Sequence, residues 1–154
     1  MSPARPVIGR LIERGETVAT AESLTAGLVC AALTEVPGSS AVVRGGLIVY
    51  ATELKAALAG VDEALLAEHG AVHPEVAAQL AEGARVRCGA DWGLGLTGVA
   101  GPDPQDDVAP GTVHIGVAGP GLRAVRTHWF EGDRAAVRTK SVHAALGLLT
   151  EQLK

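Results

Sequence analysis

Aromatic side chains are scarce in this 154-residue chain: one Phe, one Tyr and two Trp, 3% of the total. A core with so few rings must be filled by Val, Leu, Ile and Ala, and the 20 glycines imply many tight turns. Cysteine is nearly absent. Cys30 and Cys88 fall inside apolar segments without Cys-x-x-Cys spacing, which excludes a disulfide framework and reads as two buried thiols of a cytosolic protein. There is no basic run and the net charge is −4, so electrostatic nucleic-acid binding is excluded, though a protein partner is not. No apolar run approaches the roughly 20 residues of a membrane helix. Met1 to Arg10 lacks the hydrophobic segment of a leader. Paired histidines are missing too: only His69 and His73 have the four-residue spacing of a helical metal pair, and Gly70 and Pro74 break the helix between them. The expectation is a soluble, cytoplasmic, single-domain protein with no metal and no cofactor, long enough to bury a real core.

What is present centres on Thr17 to Ala32. Thr17 to Ala21 alternates as a short strand, Gly27 to Thr34 is an apolar run of helical length, and Glu22, Ser23 and Thr25 occupy the turn between them. A hydroxyl at the carboxyl end of a strand, beside the free amides of a new helix, suits nucleophilic attack on a carbonyl, because those amides can receive the charge that develops on oxygen. Ser and Thr in such a turn also serve as plain helix caps. Both roles are open on this stretch alone.

The remaining chain reads as helices and strands interleaved. Val7 to Arg14 predicts a helix ended by Gly15, Gly45 to Tyr50 a strand, and Ala51-Thr52 the start of a helix carrying Lys55 and ending at Gly60. Asp62 caps a helix to His69, and Pro74 opens another running to Cys88. Asp91 to Thr97 is a glycine-containing strand that enters an irregular loop, Gly98 to Pro110. Gly111 to Ala118 and Leu122 to Phe130 predict a hairpin, and Asp133 caps the last helix. The sum is a three-layer α/β/α sandwich with a mixed sheet, and ligands in such folds bind at the carboxyl ends of strands.

Seven short blocks carry a family resemblance. They are A-E-S-x-T-x-G from Ala21 to Gly27, P-G-S-S from Pro37, G-G-x-I-V-Y from Gly45 to Tyr50, K-x-x-L-x-G-V from Lys55, E-H-G-A-V from Glu68, T-G-x-A-G-P from Thr97 to Pro102, and G-T-V from Gly111. In this order and spacing the chain resembles the CinA C-terminal domain family, in a stand-alone form. The resemblance implies nicotinamide-nucleotide amidase activity, with hydrolysis of the carboxamide of nicotinamide mononucleotide to nicotinate mononucleotide and ammonia. It places the family's proposed catalytic groups on Ser23, Tyr50 and Lys55. It also implies substrate contacts at Thr25, Gly27, Gly46, Thr97, Gly98, Gly101, Gly111, Thr112 and Arg134, a small-molecule nucleotide as the ligand, and a homodimer or larger homo-oligomer. The family's name comes from competence and DNA-damage responses, so a non-catalytic nucleotide- or partner-binding module is the alternative.

The chemistry itself asks for a base, since serine is a poor nucleophile and an amide a poor electrophile. With no Ser-His-Asp spacing visible, lysine is the natural substitute. Lys55 would have to lose its proton, which partial burial promotes. Tyr50 would relay a proton between Lys55 and Ser23, hold the lysine in place, or simply pack at the sheet edge. Departures from the family pattern are Leu24 and Ala26 in the turn, Ala51 to Glu53 before Lys55, and Ala109 where a lysine is frequent. The last implies a weaker hold on phosphate.

Overall fold

A computed structural model describes residues 2–154, and Met1 lies outside the described residues. The elements are α1 (Arg5–Arg14), β1 (Val18–Glu22), α2 (Leu28–Thr34), β2 (Val43–Ile48), α3 (Thr52–Ala59), α4 (Glu63–His69), α5 (Pro74–Arg87), β3 (Trp92–Gly98), β4 (Thr112–Gly119), β5 (Leu122–Trp129) and α6 (Arg134–Gln152). Alternation along the strands sorts these into layers. Val18, Trp92, Leu94 and Leu96 face one way, into a core shared with α1, α2 and α6. Ala19 and Ala21 face the other way, into a second core with Val76, Leu80 and Ala84 of α5. The result is the expected α/β/α sandwich.

On the α5 side the sheet is paved with glycine. A Cβ at Gly95 or at Gly116 would lie 2.4 Å from Ala77 O, and one at Gly93 would lie 2.0 Å from Ala81 O. Removing those side chains lets α5 rest directly on the strand backbones. Gly95→Ala is therefore expected to lower stability by about 1–3 kcal/mol, the usual range for overpacking, read as a lower urea midpoint at unchanged slope.

The sheet order is β2-β1-β3-β4-β5, with β1 parallel to both β2 and β3 and the other two pairs antiparallel. This order brings the carboxyl ends of β1, β2 and β3 to one edge. The entry to β4 lies at the same edge, and β5, running in the direction of β1 to β3, delivers the start of α6 there. Observed boundaries lie within about two residues of those read from the sequence, and one shift is instructive. The Gly45–Tyr50 strand instead runs from Val43 to Ile48, because the Val49 and Tyr50 carbonyls turn out of the ladder onto the Lys55 ammonium. Cys30 and Cys88 are half-buried rather than buried. No helix among the described residues is long and apolar enough to cross a membrane.

Candidate active site

Glu22, at the end of β1, organises the turn that follows. Its buried carboxylate accepts four hydrogen bonds: from Thr20 Oγ1 at 2.9 Å, Thr25 Oγ1 at 2.7 Å, Val29 N at 2.9 Å and Cys30 N at 3.0 Å. The last two are first-turn amides of α2. Glu22 thus caps the helix, and Gly27, the formal cap residue, contributes no side chain. This corrects two expectations at once. Ser23 does no capping, and the amides of α2 nearest the turn are not free to receive a developing oxyanion. Ala26, where the family commonly has glycine, adopts φ 46°, the left-handed region that Cβ disfavours. Ala26→Gly is expected to be neutral or stabilising by up to about 1 kcal/mol, measured as a rise in Tm.

Ser23 is buried, its amide donating to Leu96 O at 3.1 Å across to β3. Lys55 reaches it from the first turn of α3. Lys55 Nζ lies 3.0 Å from Ser23 Oγ, 2.8 Å from Val49 O and 3.2 Å from Tyr50 O, and the residue is only 1% exposed. Burial lowers its pKa to about 8, offset only slightly by Glu53. The geometry serves both protonation states. As an ammonium it has three acceptors for three protons. As a neutral amine it keeps its two N–H bonds to the carbonyls, and the lone pair is left facing the Ser23 hydroxyl.

Tyr50 meets this pair through its main chain rather than its phenol. The ring is exposed, and its hydroxyl accepts from Arg134 Nη2 at 2.9 Å, while Arg134 Nη1 donates to Gly101 O at 2.7 Å. Arg134, at the first position of α6, therefore ties the end of the β2 segment to the loop after β3. A phenolic relay between Lys55 and Ser23 is not the arrangement seen.

These groups border a cavity of about 460 Å³ lined by Ser23, Tyr50, Thr97, Gly98, Gly101 and Arg134, with Asp103 to Gln105 at its loop side. Five of the residues expected at the ligand lie behind that wall. Thr25 is spent on Glu22, Gly27 opens α2, and Gly46 leaves room for the Thr20 side chain, which a Cβ would approach to 2.5 Å. Gly111 N donates to Val99 O at 2.7 Å and Thr112 O accepts from Val99 N at 2.9 Å, so both brace the root of the loop. Thr97 lines the cavity, but its hydroxyl donates to Ala71 O at 2.7 Å. The His69 and His73 rings sit 4.5 Å apart, and His73 Nδ1 accepts from Glu75 N as the cap of α5. No group of three or more potential metal ligands occurs among the described residues.

Sequence reasoning missed two contributors. The Val49 and Tyr50 carbonyls that hold Lys55 are main-chain atoms and leave no sequence signal. Arg138, whose Nε donates to Leu24 O at 2.9 Å, lies one helical turn beyond Arg134, and that i, i+4 spacing was the available clue.

A buried serine–lysine pair at the carboxyl edge of a mixed sheet, under a glycine-rich loop, defines the class of site. The chain belongs to the CinA C-terminal domain family, whose model matches residues 2–153. It is 52% identical over 147 residues to a CinA-like protein of Frankia casuarinae, covering 96% of this chain and 34% of that one. A protein of Geobacillus kaustophilus named putative competence-damage inducible protein is 45% identical over 145 residues, covering 94% and 35%. The chain thus spans about a third of the length of the curated relatives it matches. Among solved structures, the competence/damage inducible protein CihA of Agrobacterium tumefaciens superposes with a TM-score of 0.94 at 34% identity, covering 99% of this chain and 94% of that one.

Proposed function

We propose that this chain is a nicotinamide-nucleotide amidase that acts on nicotinamide mononucleotide with Ser23 as nucleophile and Lys55 as base. The observation that carries the proposal is the 3.0 Å approach of Lys55 Nζ to Ser23 Oγ, with the lysine pKa lowered to about 8 by burial. Ser23 Oγ attacks the carboxamide carbon as its proton passes to Lys55, and the carbonyl electrons move onto oxygen. Collapse of this adduct breaks the C–N bond, and the leaving nitrogen takes the proton from Lys55 and departs as ammonia. Water then attacks the acyl-serine, giving a proton to Lys55. That proton returns to Ser23 as nicotinate mononucleotide leaves.

Remaining assignments follow the cavity. Gly98 and Gly101 allow the loop backbone to come close to the ribose phosphate, and Arg134 offers its unused N–H groups to that phosphate. Tyr50 steadies Arg134 through its phenol and Lys55 through its carbonyl. The enzyme would work in the cytoplasm as a homodimer or larger assembly, which light scattering of the purified protein checks.

The test is ammonia release from nicotinamide mononucleotide, with Ser23→Ala beside the parent. Turnover by the parent alone supports the amidase. Binding without turnover by either protein would instead support a nucleotide-binding module.

A further inference from the structure

An acyl-transfer site must fix its oxyanion donors before the reaction begins, because donors that reorient during it lose most of their advantage. The turn after β1 shows how few are available. The Ser23 amide is bonded to Leu96 O, the Ala26 amide to Ser23 O, the Leu28 amide to Thr25 O, and the Val29 and Cys30 amides to Glu22. Among the described residues, the Leu24 and Thr25 amides, like that of Gly27 behind the cavity wall, have no intramolecular acceptor. Leu24 lines the cavity beside Ser23, whereas Thr25 is fully buried.

Two peptide planes set where those N–H groups point. The Ser23–Leu24 plane is held at its carbonyl by Ala26 N at 3.1 Å. The Leu24–Thr25 plane is held only from outside the turn, by Arg138 Nε at 2.9 Å. Arg138 is half-buried on α6, does not line the cavity, and forms no ion pair among the described residues. A cation that surrenders hydration without a carboxylate partner, and spends its Nε on one carbonyl, is specialised for that carbonyl.

We infer that Arg138 is a positioning residue of the Ser23 site, holding Leu24 O toward α6 and out of the cavity so that the Leu24 amide stays set for the oxyanion formed on the substrate carbonyl. In a trans peptide the C=O and N–H point in opposite directions. Fixing Leu24 O on Arg138 therefore fixes the whole Leu24–Thr25 plane, and it limits rotation at Leu24 that would bring the carbonyl oxygen into the site. A carbonyl there would repel the oxyanion.

This inference rests on the nucleophilic role proposed for Ser23, so its test carries a readout independent of the amide. Parent, Arg138→Ala and Arg138→Lys are compared in ammonia release from nicotinamide mononucleotide. Each is also compared in the rate at which a fluorophosphonate modifies Ser23, followed by intact mass with Ser23→Ala as blank. Direct loss of an oxyanion donor costs about 10²- to 10³-fold; loss of its support is expected to lower kcat and the labelling rate by about 10- to 100-fold. KM and the pH midpoint of labelling should stay within twofold and a few tenths of a unit. Added guanidinium ion, or the lysine variant, should restore part of the rate. Equal labelling and turnover in Arg138→Ala and parent overturns the inference while leaving the amidase standing. A rise in KM alone, or a loss that simply follows the unfolded fraction, also overturns it. A parent that neither releases ammonia nor labels at Ser23 removes the nucleophile and this inference together.

Discussion

Ser23→Ala is expected to lower kcat for ammonia release by about 10⁴- to 10⁶-fold, the scale on which removing a nucleophile disables a hydrolase. The fold should survive the change. Ser23 Oγ makes one hydrogen bond, to Lys55 Nζ, which keeps the Val49 and Tyr50 carbonyls as acceptors. The turn itself is held by Glu22. Thermal unfolding within a few degrees of the parent, with activity absent, separates lost chemistry from lost structure. Retention of more than a tenth of the parental rate would remove Ser23 from the mechanism.

Lys55→Met should separate function from stability in opposite directions. Loss of the base costs about 10²- to 10⁴-fold in kcat/KM. The parental kcat/KM should rise with pH, reach half its plateau at about 8 and level off above that, because only the neutral amine can take the Ser23 proton and burial puts that ionisation at about 8. The same shift fixes the sign of the stability effect. The folded-state pKa lies below the ordinary lysine value of 10.5, so between the two values the unfolded chain holds more protons, and stability rises with pH through that window. Below pH 8 the burial cost of the charge is fully present. Lys55→Met removes that titration, so its stability should be flatter between about pH 8 and 10.5. Any gain at neutral pH will be trimmed by leaving the Val49 and Tyr50 carbonyls without a donor. Urea midpoints across that range decide the matter, and parallel pH profiles for parent and variant would contradict the assigned shift.

Much of this was legible in the residues. The order of helices and strands, the hairpin, the caps at Asp62 and Asp133, and the pairing of Ser23 with Lys55 all followed from periodicity, punctuation and resemblance. Glu22 was visible as a carboxylate able to orient Ser23 or to bond the turn's own amides, and the choice between them was not. Four donors, from Thr20, Thr25, Val29 and Cys30, had to converge before Glu22 became the cap. Tyr50 was placed beside the lysine, to relay a proton, hold the lysine or pack at the edge, but spacing cannot say whether a phenol or a carbonyl makes a contact. Gly46, Gly111 and Thr112 stand in motif blocks yet lie behind the cavity, where they allow or brace close backbone packing.

The sequence by itself determined the layered fold, because alternating and helical periodicities dictate which face of each element must leave water, and glycine decides where backbones touch. Tertiary structure alone decided the site's electrostatics. A lysine that is unremarkable in sequence titrates near 8 only because α3 buries it against two carbonyls at the ends of β2 and a serine at the end of β1. Desolvation is a property of the assembled surroundings, and no local run of residues encodes it.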